Sequence, residues 1–249
     1  WYYYNENGVM QRGWIEIDGV HYYLGITGVR ATGWFIDYET NIWYYFDENG
    51  AMQTGWLDID GERYYLNKSG AMQTGWIKID DEWYYFNTSG KMQTNWVFDG
   101  FNYYYLDESG VMQTGWIEDN GERYYLSESG AMVIGWIEIN GQWYYLDNSG
   151  AMHTNWFFNG VNYYYLDESG VMQTGWLSDM GKWYYLNKSG EMATGWIEDN
   201  GERYYLSESG AMVIGWIEIN GQWYYLDDSG TMHTNWFFNG VNYYYLDES

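Results

Sequence analysis

Apolar and polar side chains alternate along this chain in short runs, and the runs come in pairs. Between Gly135 and Leu146, Trp-Ile-Glu-Ile and Gln-Trp-Tyr-Tyr-Leu flank Asn140-Gly141. Period-two alternation in β-branched and aromatic residues predicts two strands. The Asn-Gly pair between them accepts the positive φ angles of a two-residue type I′ hairpin turn. Antiparallel pairing across such a turn sets Ile139 opposite Gln142, Glu138 opposite Trp143, Ile137 opposite Tyr144 and Trp136 opposite Tyr145. One face then carries Ile137, Ile139, Tyr144 and Leu146 and is assigned to the core, with Met152 filling gaps. The other carries Trp136, Glu138, Trp143 and Tyr145. After Leu146, Asp147-Asn148-Ser149-Gly150 reads as a turn leading to the next unit. No stretch carries a 3.6-residue apolar stripe, so helix is not expected.

The unit recurs. Gly-Trp or Asn-Trp pairs run from Trp14 to Trp236 at intervals of 20 residues, with one interval of 22 between Trp34 and Trp56. Over this lies an 80-residue duplication: residues 115–169 match residues 195–249 except at Asn148/Asp228 and Ala151/Thr231. A lone hairpin is marginal in water, so neighbouring units must stack to bury their apolar faces. The expected fold is all-β: a β-solenoid of about twelve stacked β-hairpin repeats of roughly 20 residues, one continuous array over residues 1–249. The array starts in mid-pattern at Trp1, as expected for a fragment of a longer protein.

Composition narrows the function. The chain has 249 residues, 23% of them aromatic, with no proline and no cysteine. Disulfides are thereby excluded, and no run of about 18 apolar residues is present to cross a bilayer. Ten basic residues against 35 acidic ones give a net charge of −25. That charge repels nucleic acid phosphates and anionic membranes, so neither nucleic acid binding nor membrane insertion is expected, and it favours cationic partners.

The aromatic face carries the functional signal. Each unit holds more large rings than one hairpin face can bury, and acids sit among them at Glu16, Glu138 and Glu218. Rings beside a carboxylate suit a cation, since an ammonium over a ring face gains about 0.5–2 kcal/mol, and quaternary ammonium ions are recognised in this way.

Segments such as Gly135-Trp-Ile-Glu-Ile-Asn-Gly-Gln-Trp-Tyr-Tyr-Leu-Asp-Asn-Ser-Gly-Ala-Met152, and the corresponding run from Gly75 to Met92, resemble the cell-wall-binding, or choline-binding, repeats of Gram-positive bacteria and their phages. The resemblance covers essentially the whole chain. It implies stacked hairpins with ligand pockets between consecutive units. Each pocket would be lined by the Gly-Trp tryptophan (the outer ring) and the first aromatic of Trp-Tyr-Tyr (the inner ring), and closed by a tyrosine of the next unit, with a methionine nearby. The implied ligand is choline or phosphocholine of teichoic acid, and the implied location is extracellular, at the cell surface or wall.

Carried over position by position, the full set occurs at Trp34, Trp43 and Tyr65; at Trp76, Trp83 and Tyr105; at Trp136, Trp143 and Tyr165; at Trp176, Trp183 and Tyr205; and at Trp216, Trp223 and Tyr245. The second tyrosine of each pair is chosen because it shares a face with the inner ring, and the first remains the alternative. Three departures stand out. Tyr103 and Tyr163 replace the inner tryptophan in units where Asp99-Gly100 and Asn159-Gly160 fall one residue early, which predicts an altered hairpin register and puts their pockets in doubt. Arg63, Arg123 and Arg203 occupy the inner position opposite Asp58, Glu118 and Glu198, predicting cross-strand ion pairs in place of pockets. His21 opposite Glu16 is a weaker case of the same kind.

Two other function classes stay open. Similar aromatic repeats occur in glucan-binding parts of glucansucrases and in receptor-binding ends of clostridial toxins, which makes glucan or another glycan the second ligand class; the arginines would donate to hydroxyls. A structural spacer is the third reading. Catalysis is not expected: there is no cysteine nucleophile, Gly-x-Ser-x-Gly elbow or His-Glu-x-x-His pattern. No cofactor or metal is expected either. The turn acids match no calcium-loop spacing, and turn formation explains them better.

Overall fold

Every outer tryptophan follows a glycine or an asparagine because that position is left-handed: φ is +82° at Gly135 and +63° at Asn155. Glycine and asparagine tolerate this region best. The tight turns repeat the requirement, with φ of +52° at Asn140 and +78° at Gly141, the pair of positive angles that a type I′ turn demands. In the computed structural model these signals are realised as short strands. It describes residues 2–247; Trp1, Glu248 and Ser249 lie outside them. Among the described residues there are 24 strands, each paired antiparallel with its neighbour in sequence, and no helix. The all-β reading therefore holds.

The hairpin of Gly135–Ile139 and Gln142–Leu146 has the expected register, Glu138 opposite Trp143 and Trp136 opposite Tyr145. The units with an early turn correct the sequence reading. In Asn95–Phe98 and Tyr103–Leu106, Trp96 still faces Tyr105 and Val97 still faces Tyr104. The register is kept because the loop lengthens to four residues: the Asp99 carboxylate accepts from the Phe101 and Asn102 amides at 2.9 and 3.0 Å. The second such unit behaves alike, with Trp156 facing Tyr165 and Asn159 capping its loop.

Core formation is economical. The last residue of the second strand, Leu or Phe, is nearly or fully excluded from solvent in eleven of the twelve hairpins, as at Leu24, Phe46, Leu146 and Leu226, and is half-buried at Leu246. It also bridges to the methionine, or in one unit the arginine, six residues on, as in Leu146 with Met152. The turn between them is closed by a side chain: Asp147 Oδ1 accepts from the amides of Ser149 and Ala151 and from the Ser149 hydroxyl, at 2.7, 3.1 and 2.6 Å. Backbone contacts divide the chain into two units, Trp1–Ile117 with Leu126–Met132, and Glu118–Tyr125 with Val133–Ser249. In each unit the methionine amide reaches back to the inner position of the preceding hairpin: Met112 N to Trp83 O at 2.8 Å, and Met172 N to Trp143 O at 2.8 Å.

The turn aspartates carry a pH dependence. Burial alone would raise the pKa of Asp107, Asp147, Asp167 and Asp227, but hydrogen bonds from the nearby serine and the backbone amides outweigh it and hold each below its ordinary value. A folded pKa below the unfolded value of about 3.9 contributes stability that is present above that value and is lost as pH falls through the depressed one. Acid titration followed by circular dichroism is expected to show this loss. Replacing all four with asparagine, the residue already present at Asn67, Asn87 and Asn187, should shrink it. An unchanged acid profile would show that other groups dominate.

Candidate ligand-binding site

The outer and inner rings of one hairpin share a face, as their alternation requires. In Gly33–Asp37 and Ile42–Phe46, Trp34 and Trp43 meet edge to face at 6.4 Å and 81°. The inner ring stays open to solvent: Trp43 is 40% exposed, Trp143 41% and Trp223 59%. Exposed indoles recurring at one position are costly to leave unused, and they form the wall of a recess.

The next hairpin supplies the second wall, and here the ring contact falls on the first tyrosine of the pair, the alternative the sequence left open. Trp76 meets Tyr104, not Tyr105, at 4.7 Å and 64°. Trp136 meets Tyr164 at 4.9 Å and 61°, Trp176 meets Tyr204 at 4.7 Å and 68°, Trp216 meets Tyr244 at 4.9 Å and 63°, and Trp34 meets Tyr64 at 4.8 Å and 63°. Tyr65, Tyr105, Tyr165 and Tyr205 each pack against the outer tryptophan of their own hairpin, at 5.2 to 5.3 Å; Tyr245 packs against Trp236 at 5.4 Å and also lines a cavity with Trp223, as the sequence placed it. The reason is that a recess between two hairpins is built from opposite faces of the two. The second tyrosine lies on the far face and serves the following interface, as Tyr145 does by stacking on Phe157 at 3.9 Å and 29°.

A methionine and a more distant turn complete the recesses at Trp76, Trp136, Trp156 and Trp176. One cavity of about 370 Å³ is lined by Trp76, Trp83, Tyr104, Met112, Glu128 and Ser129. Another of about 460 Å³ is lined by Trp136, Trp143, Tyr164, Met172, Lys188 and Ser189, and a third of about 270 Å³ by Trp176, Trp183, Tyr204, Met212 and Ser229. The distant turn reaches the recess because its glycine lies directly on the methionine. A Cβ at Gly190 would stand 2.4 Å from Met172 Sδ, so only glycine lets the turn close down there. Sequence reasoning missed this third contributor, which lies 52 to 53 residues beyond the outer tryptophan.

The doubted tyrosine unit forms a recess of the same kind, of about 350 Å³, from Trp156, Tyr163, Tyr184, Met192, Glu208 and Ser209. Its kept register explains this correction. Carboxylates stand behind some outer rings: Trp156 Nε1 donates to Asp179 at 3.0 Å and Trp176 Nε1 to Asp199 at 3.1 Å. Each bond fixes the indole and places negative charge beside it.

The arginine units differ from one another. Arg63 pairs with Asp58 at 3.3 Å, as the ladder predicts, and its guanidinium also lies 4.9 Å from the centre of the Trp56 ring. Arg203 faces Glu198 in the ladder. Among the described residues it makes no ion pair with that acid; its guanidinium lies over Trp196 at 4.7 Å. Arg123 donates to the Ser169 carbonyl at 3.3 Å. His21 stands 3.6 Å from Glu16. Among the described residues, no group of three or more His, Cys, Asp or Glu side chains is arranged to hold a metal ion, and no helix is long and apolar enough to cross a membrane.

These features have counterparts in known proteins. The choline-binding repeat family model matches residues 12–54, 39–74, 53–96, 73–112, 96–135, 133–175, 173–214 and 213–249. No curated protein matches the chain in sequence. Among solved structures, CbpJ from Streptococcus pneumoniae TIGR4 is similar with a TM-score of 0.69 and 34% identity, over 93% of this chain and 97% of that one. Choline binding protein F from Streptococcus pneumoniae is similar with a TM-score of 0.72 and 33% identity, over 94% and 95%. The modular autolysin LytC of the same species, in complex with a synthetic peptidoglycan ligand, is similar with a TM-score of 0.59 and 26% identity; 85% of this chain matches 51% of LytC.

Proposed function

The chain belongs to the choline-binding repeat family, and from that premise we propose that it is a non-catalytic, extracellular cell-wall-binding module that takes the quaternary ammonium of choline, or of the phosphocholine of teichoic acid, into its inter-hairpin aromatic recesses. Within each unit, the hairpins are read as winding into a solenoid that presents these recesses in series, anchoring whatever domain is attached.

The observation that carries the proposal is the behaviour of the chain's own cations. Where the inner ring is replaced by arginine, as at Arg63 and Arg203, the guanidinium settles over the outer tryptophan at 4.9 and 4.7 Å. That is the distance at which a cation gains from a ring face. In three units where the inner position is tryptophan, the same ground is an open recess lined by two indoles, a tyrosine and a methionine. A methylated ammonium suits such a site because its methyl groups bury against the rings while its charge is met by their faces. The net charge of −25 concentrates cations near the surface.

Calorimetric titration with choline tests this directly. Trp143→Ala is expected to reduce the number of choline equivalents bound by one, because one ring of three is removed from a site resting on about 0.5–2 kcal/mol per ring. Arg203→Ala should leave the count unchanged, since two rings without the inner indole make a weaker site. Dextran should give no heat of binding. Equal losses in both variants, or binding of dextran but not choline, would defeat the reading.

A further inference from the structure

The recesses share their aromatic walls but not their rims. At the Trp76/Trp83 recess the distant turn contributes Glu128 and Ser129, and at the Trp156/Tyr163 recess Glu208 and Ser209. At the Trp136/Trp143 recess the same turn position is Lys188, followed by Ser189. A lysine there is notable in a chain with ten basic residues against 35 acidic ones. Its chemistry is also uncommitted: among the described residues Lys188 makes no ion pair. The acid closest to it in its own turn, Glu191, is engaged by Asn187 Nδ2 at 3.0 Å and by Asn162 Nδ2 at 2.8 Å.

The other charges on these faces sharpen the contrast. Glu138 stands opposite Trp143 in the ladder, so this recess has a carboxylate on its hairpin and an ammonium on its rim. At the Trp76/Trp83 recess the order is reversed: Lys78 lies opposite Trp83, where it is held by Asp81 at 3.1 Å, and the rim is Glu128. A ligand whose quaternary ammonium enters between the rings directs its remaining substituent outward, towards the rim. If that substituent is a phosphate, a rim lysine attracts it and a rim glutamate repels it.

Resting on the quaternary-ammonium reading above, we propose that Lys188 makes the Trp136/Trp143 recess selective for a zwitterionic, phosphate-bearing ammonium, whereas the recesses rimmed by Glu128 and Glu208 prefer the bare cation. The array thus holds two classes of pocket, sorted by one residue of a turn two hairpins away. An exposed ion pair of this kind changes affinity by roughly two- to fivefold at low ionic strength, and less in salt.

The test uses the full chain labelled with 5-fluorotryptophan, so that the inner rings report separately, their fluorine resonances assigned by single Trp83→Phe and Trp143→Phe substitutions. Titration with choline chloride or with phosphocholine at low ionic strength is expected to saturate Trp143 at a two- to fivefold lower concentration of phosphocholine than of choline, and Trp83 in the opposite order. Lys188→Glu should abolish the preference at Trp143 with little change at Trp83, and Lys188→Arg should keep it. If choline binds at both rings but the ratio of the two ligands is the same at each, or if Lys188→Glu leaves the ratio at Trp143 unmoved, this inference is overturned while the ammonium reading stands. If choline shifts neither resonance, the ammonium reading fails first and takes this one with it.

Discussion

Alanine at Trp43, Trp83, Tyr163, Trp183 and Trp223 together, with Trp143 retained, is expected to lower apparent affinity for a choline-bearing polymer by about 10²–10⁴. The affinity of the Trp136/Trp143 recess for free choline should stay where it was. Three rings at about 0.5–2 kcal/mol each, offset by the cost of immobilising the ligand, support roughly −4 kcal/mol, a dissociation constant near the millimolar range. Such a site cannot hold a protein on a wall by itself. Several sites facing a polymer that repeats its own ligand convert later contacts into intramolecular ones. The substitutions are suited to the experiment because the inner rings are the exposed ones: Trp43 at 40%, Trp83 at 41%, Tyr163 at 47%, Trp183 at 48% and Trp223 at 59%. Removing them leaves the buried leucine row intact. Retention on a choline matrix, eluted by millimolar free choline, is the measurement. A variant retained as tightly as the parent would show that binding does not reside in these recesses.

The second large effect concerns stability. Leu146→Ala is expected to cost about 2–5 kcal/mol, the range for truncating a buried leucine when the surroundings cannot fully collapse. Leu146 is 0% exposed, and it joins two strands and a turn through its bridge to Met152. Val161, at a loop tip and 78% exposed, is the control: Val161→Ala should move stability by no more than about 0.5 kcal/mol. Denaturant unfolding monitored by tryptophan fluorescence compares the two. Because each repeat touches mainly its neighbours, the loss should be felt first in the unit that contains Leu146. Equal midpoints for the two variants would mean that the leucine row is not the core.

The sequence made the hairpins legible because everything that defines them is local. Asn140-Gly141 requires positive φ, the alternation on either side fixes which residues face which, and the ladder from Ile139 opposite Gln142 to Trp136 opposite Tyr145 follows within twelve residues. The core position was legible for the same reason, since Leu146 ends an alternating strand. The pairs of outer and inner rings were legible too, because they sit on one face of one hairpin. The early turns at Asp99 and Asn159 misled because a four-residue loop keeps the register that a shifted two-residue turn would have broken.

What the sequence left open was every relation between hairpins. Tyr104 rather than Tyr105 faces Trp76 because the next hairpin turns its opposite face to the recess. Gly190 seats a turn carrying Lys188 on Met172. The residues that complete a recess stand 28 to 53 positions beyond its outer tryptophan, as Tyr104 does from Trp76 and Ser189 from Trp136. Alternation along a strand states on which face a side chain lies, not which neighbouring face will be rotated against it. That rotation is set by the packing of leucine, methionine and ring on one another, which exists only once the hairpins have stacked.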